Sequence, residues 1–154
     1  MGTIDSYGAY TPRYRIDASE FVEAWGSFDA RGVSSKAVPS ADEDAVTMAV
    51  EAVEEALEES EYGREEVDSL VLGTTTPPLD EGDVAAQVAE IVGLKRDIEV
   101  TVHSQSTRDG VRALVTATRS PGVSVAVAAD CPVGAPDDSV EHAAGAGAVA
   151  FVVS

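Results

Sequence analysis

Apolar positions recur along this chain at two different periods. Between residues 41 and 60, Val46, Ala49, Val50, Val53, Ala56 and Leu57 stand three or four apart with acids filling the opposite face, which predicts one long amphipathic helix. Residues 67–72 form a short, mainly apolar run closed by Gly73, the pattern of a strand buried on both faces of a parallel sheet. Further strands are predicted over 3–10, 98–102, 123–129 and 147–153. Helices are predicted over 18–25, opened by Asp17 as a cap and stopped by Gly26, over 84–92, stopped by Gly93, and over 108–118. Pro12 ends the first strand, and residues 27–40, with Gly32 and Pro39, read as a loop. The Thr74–Pro78 run cannot continue as helix. Strand and helix alternate, which implies right-handed crossovers and an α/β domain with helices on both faces of its sheet. No repeat or linker divides residues 1–154, so a single domain is expected.

Composition sharpens this picture. The chain has 154 residues and 44% hydrophobic content, enough for a real core. It carries 28 acids against 10 basic residues, a formal charge of −18, and its only lysines are Lys36 and Lys95. Such self-repulsion is relieved at molar salt, where the screening length is about 3 Å. The surface therefore reads as that of a halophile, or more plainly as that of an acidic cytoplasmic protein. Nucleic acid is excluded as a partner, since phosphates need a basic face. The lone Cys131 can form no internal disulfide, and no Cys/His spacing suggests a metal site. No stretch approaches 18 apolar residues and Met1 opens no signal-like segment, so no membrane association and a cytoplasmic location are expected.

Several segments taken in tandem carry more. They are Tyr7-Gly-Ala-Tyr-Thr-Pro-Arg-Tyr-Arg-Ile16, Lys36-Ala-Val-Pro-Ser-Ala-Asp-Glu-Asp-Ala-Val-Thr-Met48, Ile98-Glu-Val-Thr-Val-His-Ser-Gln-Ser-Thr-Arg-Asp-Gly-Val-Arg-Ala-Leu114, and the run from Ala129 to Glu141 with the small residues 143–148. Together they resemble the archaeal hydroxymethylglutaryl-CoA synthases of the thiolase superfamily, over nearly the whole chain. The resemblance implies the first half of a thiolase-like fold: a five-stranded mixed, mostly parallel sheet with helices on both faces. It also implies acyl-CoA condensing chemistry with a CoA thioester as substrate and no resident cofactor. The expected partners are acyl-CoA, a missing C-terminal thiolase half or a separate subunit, and an OB-fold/zinc-ribbon protein, in a homo- or hetero-oligomer. The apolar ending 149–153 would lie where the second half packs, and left bare it would be an association surface.

In that family a cysteine at a helix N-terminus is the nucleophile, because the dipole and free amides lower its pKa. With Gly110 as the anchor of the helix's packed face, the position corresponds to Ser104, an alcohol that needs a general base. Neighbouring His103 should point to the opposite side of its strand, which disfavours a Ser104–His103 dyad. A shift of one place would put Gln105 at the bend, as in decarboxylating relatives of ketosynthases, at the cost of the fit at Gly110. The family's glutamate acid/base falls on Thr75, which cannot shuttle protons as a carboxylate does. Asp80, Glu81 and Asp83 follow in an acidic loop that reads as solvated surface. Arg108 and Arg112 share a helix face and, with Arg13, are candidates for an anionic ligand such as CoA phosphates; Gly145-Ala-Gly147 reads as close packing. Two functions remain open: an impaired acyltransferase domain, or a noncatalytic scaffold or acyl-CoA-binding subunit.

Overall fold

The computed structural model describes residues 1–79 and 81–154. In chain order the elements are β1 (Ile4–Tyr10), β2 (Tyr14–Asp17), α1 (Ala18–Trp25), β3 (Ser35–Val38), α2 (Ala45–Glu58), a 3-10 turn (Arg64–Glu66), β4 (Val67–Thr74), α3 (Val84–Val92), β5 (Glu99–Ser104), α4 (Asp109–Ala117), β6 (Val123–Asp130), α5 (Ser139–Ala143) and β7 (Gly147–Val153). Among the described residues, five strands form the main sheet in the order β1-β7-β6-β4-β5, while β2 and β3 form a separate antiparallel pair. β4 pairs in parallel with β5 and β6, and β7 runs antiparallel to both of its neighbours, β6 and β1. Four of the five strands therefore point the same way, giving the mixed, mostly parallel sheet that the resemblance implies, within the α/β class that the alternation predicts.

Strand alternation divides the core in two. On one face Leu70, Leu72, Val125, Val127, Ala150 and Val152 pack against the apolar stripes of α2 and α3. On the other, Val71, Ala126 and Val153 pack against Ala113 and Ala117 of α4. Gly73 lets α4 start almost on the sheet, because a Cβ there would stand 2.4 Å from the Asp109 carbonyl oxygen. Among the described residues α4 is the one helix that packs on this face, lying on β4, β5 and β6. Beside it Val149 and Phe151 of β7 are half-buried, and Tyr7 of β1, paired with Phe151, is 67% exposed.

Local chemistry sets the element ends. α1, α3 and β7 have the predicted bounds; Gly26 and Gly93 end the two helices at φ 85° and 79°. Asp17 stands at the N-cap of α1 without a capping side-chain bond. α2 begins four residues later than its periodicity suggests, because Asp44 and Thr47 form a reciprocal capping box. The segment expected to be all loop contains β3, which pairs with β2, and the helix α5 follows β6.

Residues 14–38 form a cap that docks on α5 through an aromatic nest. The buried His142 ring stacks on Trp25 (centroids 5.7 Å apart, planes at 9°) and Phe28 (5.5 Å, 22°), with Phe21 edge-on at 5.4 Å. The Asp29 amide donates to His142 Nδ1 at 3.0 Å, which places the ring proton on Nε2. Nε2 stands 3.2 Å from Asp137 Oδ1 but off the line of a hydrogen bond. Lys36 bonds the Glu141 carbonyl, pairs with its carboxylate at 3.1 Å and lies 5.4 Å from the Phe21 ring. No described helix is long and apolar enough to cross a membrane.

Candidate functional site

The carboxyl ends of the parallel strands β4 and β6 and the start of α4 converge on a groove of about 380 Å³. Open α/β sheets place ligands at such strand ends. The groove's apolar part is lined by Val111, Leu114, Ala126, Val149 and Phe151, and its polar end by Thr74, Thr75, Ser106, Thr107, Asp109 and Asp130.

Asp130, the last residue of β6, organises that polar end. Its Oδ1 accepts from the Thr75 amide at 2.6 Å and from the hydroxyls of Thr74 (3.2 Å), Thr75 (2.9 Å) and Thr76 (3.1 Å). Thr76 Oγ1 in turn accepts from the Cys131 amide at 2.7 Å. The threonine run at the end of β4 is thus tied by one carboxylate to the end of β6, its neighbour in the sheet. Asp109 is buried and equally engaged: Oδ2 accepts the Ser106 amide at 2.6 Å, and Arg112 Nη1 lies 3.3 Å from Oδ1. This side chain closes the turn that leads into α4.

Thr75 lines the groove, whereas Ser104 does not occupy a helix start. β5 continues through Ser104, which is exposed and paired with Thr74. Gln105 then turns the chain in the left-handed region (φ 77°), and α4 opens only at Asp109. The bend is therefore where the sequence puts it, whereas the hydroxyls near the helix dipole and the groove are those of Ser106 and Thr107. His103 points toward α4, its Nε2 3.0 Å from Thr116 Oγ1, so it does not serve Ser104. Arg108 and Arg112 line a second groove on the β5 side of α4 with His103. Arg13 is exposed between β1 and β2, away from both. Glu81 is exposed, Asp83 caps α3 through the Ala85 and Ala86 amides, and Asp80 lies outside the described residues.

Ser106, Thr107 and Asp130 are the groove residues that sequence reasoning missed. Asp130 had a signal, since it ends the apolar run of a parallel strand, where such folds collect functional groups. Cys131 follows it but does not line the groove. Partial burial and the neighbouring carboxylates of Asp44, Glu43 and Asp130 raise its thiol above the ordinary value, and keep it protonated near neutral pH.

No family model matches the sequence. Three proteins named hydroxymethylglutaryl-CoA synthase align with it: 34% identity over 161 residues for that of Methanopyrus kandleri, 34% over 155 for Pyrococcus furiosus and 31% over 160 for Archaeoglobus fulgidus, each covering 97% of this chain. The chain is a homologue of archaeal hydroxymethylglutaryl-CoA synthases. It spans 46%, 44% and 47% of those relatives, about half their length. Among solved structures, a hydroxymethylglutaryl-CoA synthase complexed with CoA superposes with a TM-score of 0.88 at 20% identity, covering 99% of this chain and 42% of that one. MvaS in complex with 3-hydroxy-3-methylglutaryl coenzyme A gives 0.90 at 24%, covering 99% and 40%. The 3-oxoacyl-[acyl-carrier-protein] synthase III of Aquifex aeolicus gives 0.89 at 23%, covering 100% and 54%. The fold of this synthase homologue is thus thiolase-like.

Proposed function

We propose that this chain is the first-half domain of a hydroxymethylglutaryl-CoA-synthase-like condensing protein, one that binds acyl-CoA but transfers the acyl group poorly. The observation that carries this reading is the chemistry of the groove: hydroxyls at the start of α4 and the end of β4, and two carboxylates already committed to hydrogen bonds. Thioester acyl transfer needs a nucleophile activated by a lowered pKa or by an adjacent base. The described groove residues include no thiol. The base–hydroxyl contact at hand is Asp130–Thr75, and the carboxylate oxygen that makes it is already shared by four donors, so the Thr75 hydroxyl has no carboxylate of its own.

Binding does not need that base. The α4 N-terminus favours negative charge or a polarised carbonyl at the groove, the apolar lining suits an acyl chain, and Arg108, Arg112 and Arg13 are candidates for the CoA phosphates. The saturation of Asp130 also favours the second reading, a noncatalytic subunit that holds acyl-CoA or partners such as thiolase-family and OB-fold/zinc-ribbon proteins. Calorimetric titration with acetyl-CoA, paired with intact mass measurement after acid quench, tests the proposal. Saturable binding with only trace acylation is expected. Stoichiometric acylation would refute the impairment, and absence of binding would refute the acyl-CoA assignment.

A further inference from the structure

His142 joins two parts of the fold through one lone pair. Its ring is 2% exposed, at the centre of the nest made by Phe21, Trp25 and Phe28, and its Nδ1 accepts the Asp29 amide at 3.0 Å. That bond ties α5 to the loop that follows α1. Nε2 bears the proton of the neutral ring and has no hydrogen-bond partner among the described residues. Histidine is the side chain whose charge changes between about pH 5 and 8. A second proton on this ring can enter only at Nδ1, where it would face the Asp29 N–H donor to donor.

The groups around the ring set the sign of the effect. The turn before α5 and the helix itself bring Asp137, with Oδ1 3.2 Å from Nε2, Asp138 at the N-cap, and Glu141. β3 brings Lys36, whose ammonium pairs with the Glu141 carboxylate at 3.1 Å and lies over Phe21. The loop after α1 brings Asp29, and α1 presents Phe21 and Trp25, its acids Glu20 and Glu23 being exposed. Asp137 and the two stacked ring faces favour an imidazolium. Asp137, however, is 53% exposed and meets Nε2, which carries a proton in either charge state, so this contact stays with α5 and does not hold the cap. Nδ1 is the atom whose role reverses, and its partner is a backbone amide that can only donate. Burial of the ring and the nearby Lys36 add to the cost of a charge there.

From this geometry we propose that the fold carries an acid-released latch: protonation of His142 breaks the Asp29 bond and unseats α1 and the loop 26–34 from α5. β3 stays in place, because Lys36 bonds the Glu141 carbonyl and the Ala37 carbonyl accepts the Ala146 amide at 3.3 Å. Every group in the latch lies between residues 21 and 142, and the proposal is independent of the acyl-CoA assignment.

Amide hydrogen exchange in 1 M KCl, where charges are screened within about 3 Å, tests it without any ligand. Protection of the Asp29 amide, corrected for the intrinsic rate at each pH, should fall about 10-fold or more between about pH 8 and pH 5, the worth of one hydrogen bond. Val125 and Val127 in β6 should keep theirs. His142→Gln keeps an acceptor but takes no charge, and should make the Asp29 protection independent of pH. His142→Phe keeps the aromatic stack without the acceptor, and should leave Asp29 weakly protected at every pH. Asp29 protection that holds or rises in acid, a loss shared equally by β6, or the same acid-dependent loss in both variants would overturn the proposal.

Discussion

Gly73→Ala is the substitution that most directly tests how the site is built. The added Cβ would lie 2.4 Å from the Asp109 carbonyl oxygen, 2.5 Å from its carbon and 2.7 Å from the Gly110 nitrogen, where ordinary contact begins at 3.4 Å. All three neighbours are backbone, so no flexible side chain can yield, and the first turn of α4 must retreat by about 1 Å, the difference between 3.4 and 2.4 Å. Overpacking of this kind costs about 1–3 kcal/mol. The Asp109–Ser106 bond, which anchors the same turn, puts the expected value at the upper end, about 3 kcal/mol. For a domain of this size that lowers the melting temperature by roughly 6–12 °C and the urea midpoint by roughly 1–2 M. Urea denaturation followed by circular dichroism gives the midpoint, and an unchanged slope shows that the native state is what moved. Because the retreat carries Ser106 and Thr107 away from Thr75, acetyl-CoA affinity should fall as well. A loss of stability below about 0.5 kcal/mol would show that α4 does not rest on β4 as described.

Asp130→Ala should cost about 2–4 kcal/mol in thermal denaturation, because the buried Thr74 hydroxyl and the Thr75 amide lose a charged acceptor. Asp130→Asn keeps an acceptor and should cost about half as much; equal costs for the two would argue against a charge-assisted network. Cys131 should react with iodoacetamide more slowly in the native protein than after unfolding, with the native rate rising only above pH 9.0, the ordinary thiol value; equal rates at neutral pH would contradict its burial. Asp68 is held below the ordinary carboxylate value of 3.8 by Lys95 and by the Val123 amide, and Lys95 is held above its ordinary 10.5 by Asp68. The stability that Asp68 contributes is therefore present above pH 3.8 and lost as pH falls through its depressed folded-state value, while that of Lys95 is present below 10.5 and lost above its raised one. The stability difference between the parent and Asp68→Asn should accordingly be flat at neutral pH and shrink toward both extremes; a difference independent of pH would exclude the linkage.

The sequence made the main sheet legible because its signals are local. Gly26 and Gly93 stop α1 and α3 where the backbone must turn left-handed, and strand alternation separates Val71 from Leu70 and Leu72. β2 and β3 escaped because each is four residues long, largely unburied, and defined by the other rather than by its own pattern. α5 is only five residues long, and its sign was Asp138, whose carboxylate accepts the Glu141 amide at 2.8 Å.

At the site, Thr75 falls on the groove because it directly follows the end of β4. Ser104 was placed one element too early: counting back from Gly110 reaches the last residue of β5, since residues 105–108 intervene before α4 begins. The Asp130 network could not be read at all, because its partners lie 54–56 positions away and meet only through the β4–β6 pairing.

The aromatic nest has an optical consequence. Trp25 is the chain's one tryptophan, and it is stacked on His142, outside both clusters that hold the sheet together. Intrinsic emission therefore watches the seating of residues 14–38 rather than the melting of the strands. On heating, the fluorescence transition should run ahead of the loss of helical ellipticity, separating two events that a single probe would merge.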